Sequence, residues 1–206
     1  MLIKVCGLKH EEDIDTLSAA EKVDFLGFIF VAESPRYVGK NLKHLTTHKK
    51  KVGVFRNTKL DEIIKIHERL RFDYIQLHGD ESPSLCRELT KYAKVIKAFS
   101  IQDKDTFVKV IEYENCCELF LFDTPSKIGG GSGRQFDWSI LDEYQGETSF
   151  LLSGGIGPQD VHVLRAMNHN KFKGIDINSR FETRPGKKDT TLIQAFLNEL
   201  NHEIHS

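Results

Sequence analysis

The chain switches eight times between a short apolar run and a stretch whose apolar residues recur at three- and four-residue steps. The runs occupy residues 2–6, 25–31, 51–55, 73–77, 95–99, 119–122, 150–152 and 174–177, lengths that suit buried strands. Helical spacing follows each: Ile14, Leu17 and Ser18; Leu42 and Leu45; Leu60, Ile63, Ile64 and His67; Leu85, Cys86 and Leu89 behind an N-cap at Ser82 with Pro83 at the first helical position. Then come Phe107, Val108 and Ile111; Trp138, Ile140 and Leu141; Val161, Leu164 and Arg165; and a last helix through Leu192, Ile193, Phe196, Leu197 and Leu200. Strand and helix in alternation imply parallel strands joined by crossovers, and eight such units close a (β/α)8 TIM barrel. At 206 residues the chain suits one core, so the expected organisation is a single barrel domain spanning residues 1–206. So short a barrel needs minimal connections, and the two long ones, residues 32–40 and 124–137, are therefore informative.

Charge narrows the partners. Lysine and arginine number 29 against 30 acids, so no basic field advertises nucleic acid or an anionic membrane, and a small molecule is the expected ligand. The N-terminus lacks the apolar core of a signal peptide, and the run at 25–31 is too short to span a bilayer. Four cysteines, Cys6, Cys86, Cys116 and Cys117, form neither a disulfide framework nor a paired zinc spacing, which fits a reducing cytoplasm.

In a parallel barrel the C-terminal strand ends share one mouth, so the strand ends are the expected site. They read Cys6-Gly7, Phe30 with Arg36 in the following loop, Arg56, His78-Gly79, Phe99, Asp123, Gly154-Gly155, and Asp176 with Asn178 and Ser179. Asp123 ends an apolar run, where desolvation raises a carboxyl pKa and makes a general acid; a turn cap with Thr124 is the alternative. Cys6 is a thiol that a cation such as Lys4, or dipoles at the mouth, can turn into a base; an inert buried cysteine is the alternative. Cys86, Cys116 and Cys117 read as inert. Gly154-Gly155 and Asn178-Ser179 lie after strands seven and eight, where barrels hold phosphate on backbone N–H groups. Arg36 offers a planar fork of donors to a carboxylate. His44 and His48 stand four apart but lack a third ligand nearby, so they read as a solvated face and no metal is expected.

Together the motifs resemble the phosphoribosylanthranilate isomerase family of tryptophan biosynthesis. They are Lys4-Val5-Cys6-Gly7-Leu8, Ser34-Pro35-Arg36-Tyr37, Gln76-Leu77-His78-Gly79-Asp80 and Phe122-Asp123-Thr124. Gly130-Gly131-Ser132-Gly133, Phe136-Asp137-Trp138, Ser153-Gly154-Gly155-Ile156, Gly174-Ile175-Asp176 and Pro185-Gly186-Lys187-Lys188-Asp189 follow in order. The resemblance implies an Amadori rearrangement of N-(5'-phosphoribosyl)anthranilate to the 1-deoxyribulose phosphate, without metal or organic cofactor. It implies Asp123 as general acid on the ribose ring oxygen, Cys6 as general base on the C2 proton, and Arg36 on the anthranilate carboxylate. Phosphate is implied on the loops after strands seven and eight, His78 and Asp176 belong to the expected substrate site, and the glycine loop 126–133 is expected to cover it. A cytoplasmic monomer or homodimer is expected.

One departure stands out. Many members carry a small-residue run after the Asp176 position, whereas this chain has Asn178-Ser179-Arg180-Phe181, leaving Arg180 to join the phosphate or to face solvent. Three rival readings remain. Ketol isomerases of histidine biosynthesis are expected to use paired aspartates, against Cys6 here. A hydrolase pairing Cys6 with His78 needs contact between strands one and four. A non-catalytic barrel predicts ligand binding indifferent to Cys6 and Asp123.

Overall fold

The computed structural model describes residues 1–39, 42, 46–123 and 138–201. Eight parallel strands pair in sequence order and close on themselves: β1 (Leu2–Val5), β2 (Phe25–Ile29), β3 (Lys50–Phe55), β4 (Tyr74–Leu77), β5 (Lys94–Ser100), β6 (Leu119–Asp123), β7 (Phe150–Ser153) and β8 (Phe172–Ile177). The seam is the β1–β8 ladder, from Leu2 opposite Gly174 to Val5 opposite Ile177. Gly174 is required there, because a Cβ at that position would run into the Leu2 carbonyl.

Helices α1 (Glu11–Ala19), α2 (Leu60–Leu70), α3 (Pro83–Leu89), α4 (Thr106–Val110), α5 (Val161–Ala166) and α6 (Thr190–Asn201) pack outside the strands. Ser82 caps α3 as expected, its hydroxyl accepting the Leu85 N–H at 3.3 Å with Pro83 in the first turn. Between α6 and β8 a small hairpin, β9 (Glu182–Arg184) and β10 (Lys187–Lys188), follows a 3₁₀ turn at Ser179–Phe181. Among the described residues, no helix is long and apolar enough to cross a membrane.

Alternation along the strands separates two cores. Leu2 and Cys6, Phe25 and Ile29, Val52 and Val54, Ile96 and Ala98, and Leu119 and Leu121 fill the barrel; their neighbours in the chain pack against the helices. Phe30 and Phe99, expected at the mouth, have the outward parity. Phe30 stacks on Phe55 with centroids 5.3 Å apart, and Phe99 meets Tyr113 edge-on at 5.1 Å. Arg56 is exposed and does not line the cavity.

Three connections differ from expectation. Of the residues described between β2 and β3, none is helical; Leu42 is buried without a helix, and Gly39 adopts a left-handed φ of 72° that breaks helical continuity. Leu45 and His44 fall outside the described residues, and His48 is exposed in a bend. After β5, α4 lasts a single turn and gives way to a 3₁₀ helix, Ile111–Cys116. Its buried positions are Phe107 and Val110, while Val108 and Ile111 are exposed, so the inward stripe is offset from the expected one. Trp138, Ile140 and Leu141 form a 3₁₀ helix, Trp138–Glu143.

Candidate active site

The C-terminal ends of the strands surround a cavity of about 240 Å³. Of the residues expected at the site, Cys6, His78, Asp123, Gly154, Gly155, Asp176, Asn178 and Ser179 line it, and Arg36 does not. The glycine loop expected to cover the mouth lies outside the described residues.

Inward parity delivers the polar groups in pairs two residues apart: Lys4 with Cys6, Gln76 with His78, Asp176 with Asn178. Lys4 is fully buried and places its ammonium 2.8 Å from Asp176 Oδ2. Burial works against charge on Lys4, yet Asp176 and the Cys6 thiolate hold its pKa above the ordinary lysine value. Burial likewise pushes the Asp176 carboxyl up against the pull of Lys4, and the 2.8 Å contact favours the ionised pair at neutral pH. Gly27 makes this crowding feasible. A Cβ there would sit 2.9 Å from Cys6 Sγ and 3.1 Å from Lys4 Nζ.

Cys6 is 4% exposed. Burial raises its thiol pKa, and the Lys4 and Lys188 ammoniums offset only part of that rise. Lys4 does pull on this thiol in the expected direction, but desolvation outweighs it.

Asp123 continues the inward series of Leu119 and Leu121. Its side chain is 37% exposed and lines the cavity, at the rim to which the apolar run was expected to deliver it. His78 Nε2 lies 3.4 Å from Asp123 Oδ2, and Gln76 Nε2 lies 3.2 Å from His78 Nδ1. With the Gln76 amide in this orientation its nitrogen donates, so a neutral imidazole would accept at Nδ1 and carry its proton on Nε2, toward Asp123.

After β7, Gly154 and Gly155 take φ values of 98° and 63°, a left-handed turn that L side chains rarely adopt. This turn lines the cavity together with Asn178 and Ser179, which follow the neighbouring strand β8. Arg180 is exposed and outside the lining, which places it toward solvent.

Arg36 is held at the edge. Its Nε donates to both Glu182 oxygens at 3.0 Å and its Nη2 donates to Oε2 at 2.6 Å. Glu182 also accepts from buried Lys188 at 2.9 Å, and Lys188 reaches Asn178 Oδ1 at 2.8 Å. Burial opposes ionisation of Glu182, but Arg36 and Lys188 bring its pKa below the ordinary value. Gln76 and Lys188 stand in motifs that carry the family resemblance but were assigned no role from the sequence, and Glu182 stands in none of them. Gln76 had a readable signal, a polar residue of inward parity in an apolar run; Glu182 and Lys188 are joined to the site only by the hairpin.

A thiol and a carboxyl line one mouth of a parallel barrel, a pair able to exchange protons with a small molecule bound there. Comparison with known proteins is specific. A family model described as N-(5'phosphoribosyl)anthranilate (PRA) isomerase matches residues 3–199. The N-(5'-phosphoribosyl)anthranilate isomerase of Parabacteroides distasonis is 43% identical, over 98% of this chain and 94% of its own length. The phosphoribosyl anthranilate isomerase of Thermotoga maritima superposes with a TM-score of 0.82 at 30% identity, covering 97% of this chain and 98% of that one. Another phosphoribosyl anthranilate isomerase, solved in complex with reduced 1-(o-carboxyphenylamino)-1-deoxyribulose 5-phosphate, gives 0.78 at 27% identity over 97% and 98% of the two chains. The chain belongs to the N-(5'-phosphoribosyl)anthranilate isomerase family, aldose–ketose isomerases of tryptophan biosynthesis.

Proposed function

We propose that Asp123 and Cys6 are the acid and base with which this enzyme converts N-(5'-phosphoribosyl)anthranilate to 1-(2-carboxyphenylamino)-1-deoxyribulose 5-phosphate. The observation that carries the assignment is that both side chains line the same cavity in a chain belonging to this family. Residues 1–206 serve as one catalytic domain, acting in the cytoplasm.

Asp123 gives its proton to the ribose ring oxygen, the bond from that oxygen to C1 breaks, and a protonated Schiff base forms. His78, with its Nε2–H toward Asp123, stabilises the carboxylate left behind. The Cys6 thiolate then takes the proton from C2, and the electron pair neutralises the iminium to give an enolamine, which tautomerises to the ketone. Lys4 and Lys188 stabilise that thiolate, which burial otherwise disfavours. The phosphate is held by the Gly154-Gly155 turn and by Asn178 and Ser179, and the anthranilate carboxylate meets Arg36 at the edge. Glu182 fixes the arginine's fork in one plane. The ligand seen in the related complex contains these same groups, a carboxyphenylamine and a sugar phosphate.

The test is turnover of freshly generated phosphoribosylanthranilate, followed by loss of anthranilate fluorescence, for wild type, Cys6→Ser and Asp123→Asn. Both variants are expected to lose at least about a hundredfold in kcat with the fold intact. A variant retaining near-wild-type turnover removes that residue from its role.

A further inference from the structure

Three thiols take no part in the mouth. Cys86 sits on the buried face of α3, and Cys116 and Cys117 close the 3₁₀ helix that leads into β6. Far apart in sequence, they meet because α3 packs against that helix. All three Sγ atoms lie within 4.8 Å of one another. Cys86 and Cys116 are buried and Cys117 is half-buried. Sulfurs sharing one ion with bonds of about 2.3 Å stand about 3.8–4.0 Å apart, so the cluster closes on an ion with movements of about 1 Å or less.

The surroundings select the ion. Lys97 has the outward parity of β5 and is 2% exposed. Its ammonium is held by the Gly79 and Ala98 carbonyls at 2.7 and 2.9 Å and lies 5.9 Å from the centre of the Tyr113 ring, on the same 3₁₀ helix as Cys116. Paired with Glu81, that cation offsets part of the negative charge gathered by thiolates. Glu81 is the nearest carboxylate to Lys97, at 3.4 Å, but its oxygens already accept the Asn57 and Gly79 N–H groups at 2.7 and 2.8 Å. Among the described residues, no histidine or carboxylate joins the three sulfurs. Structural zinc calls for a fourth protein ligand, whereas soft monovalent copper is satisfied by thiolates alone.

We propose that Cys86, Cys116 and Cys117 form a three-thiolate site for a soft monovalent ion of the copper(I) class, separate from the active site. Binding releases one proton from each thiol and moves no electrons. The ion ties α3 to the start of β6, so it stabilises the folded state by mass action.

The experiment is an anaerobic titration of the whole, reduced protein with copper(I) in competition with a chromogenic chelator. It is read by near-ultraviolet sulfur-to-copper charge transfer and by Tm. One ion per chain and a raised Tm are expected. Cys86→Ser, Cys116→Ser and Cys117→Ser should each weaken binding at least about tenfold, whereas Cys6→Ser leaves it unchanged. The corresponding alanine variants, checked for retained isomerase turnover, separate lost ligation from lost folding. Uptake that survives all three substitutions, or that follows Cys6, overturns the site. Zinc held more tightly than copper(I) in the same competition overturns the choice of ion.

Discussion

Replacing Lys4 by methionine keeps an unbranched side chain one atom shorter and deletes the buried charge inside the barrel. Asp176 Oδ2 then loses its 2.8 Å partner, and Oδ1 already has none among the described residues. The two side chains are 0% and 5% exposed, so water can approach the stranded carboxylate only from the cavity and replaces the lost partner incompletely. Unit charges 2.8 Å apart attract by about 6 kcal/mol at an effective dielectric of about 20. That is a ceiling, because forming the pair also costs desolvation; breaking a buried pair from one side typically costs about 3–5 kcal/mol. Lys4→Met is therefore expected to lower the unfolding free energy by about 3–5 kcal/mol in urea at neutral pH. Burial already raises Asp176, and without Lys4 it rises further. A carboxyl raised in the folded state contributes stability below its unfolded pKa and loses it as pH climbs through the folded one. The variant's deficit should thus shrink in acid and grow toward neutrality. Adding Asp176→Asn removes the stranded carboxylate, so the double variant should lose less than the two singles combined. A loss under about 1 kcal/mol, the scale of an exposed pair, or strict additivity would refute the argument.

Other residues offer independent checks. Gly27→Ala puts a methyl 2.9 Å from Cys6 Sγ and, if Cys6 is the proposed base, should cost about a hundredfold in kcat by displacing its sulfur, read in steady-state kinetics beside a urea curve. Unchanged kcat means the barrel absorbs the methyl without moving Cys6. Arg36→Lys loses the planar fork and should raise KM about tenfold or more, the worth of one charge-assisted bond, while kcat holds; a fall in kcat at constant KM counts against a role in binding the carboxylate. His67 is 8% exposed, and burial, helped by the nearby Arg71 charge, lowers its pKa. Its stabilising contribution is therefore present above the ordinary value of 6.5 and lost as pH falls toward the folded value. Wild type should lose more stability than His67→Leu between about pH 7 and about pH 5 in thermal melts, and parallel curves would exclude His67 as the source.

What could be read from the sequence follows from what is local. Strand runs and most helices declare themselves through apolar periodicity, and strand order follows from chain order once every crossover is parallel. The reactive ends are likewise local, because Cys6, His78, Asp123 and Asp176 each stand at or near the end of a run. Parity was readable too, and applying it would have placed Phe30 and Phe99 in the outer layer from the start: Phe99 is odd where Ile96 and Ala98 are even and inward. What the sequence hides is competition between distant groups. Whether Cys6 is raised or lowered depends on burial set by Gly27 across the β1–β2 ladder and on two lysines, one next door and one in a hairpin after β8. Arg36 shows the same limit. Its side chain was legible as a fork of donors, but Glu182 holds that fork from a hairpin whose position only the closed barrel defines. Glu182 takes the Nε and one Nη2 hydrogen of Arg36 and, among the described residues, leaves the Nη1–Nη2 edge of the fork open to a second carboxylate. The direction that edge faces is therefore set jointly by Glu182 and by Lys188, the second cation on Glu182, and not by the arginine alone.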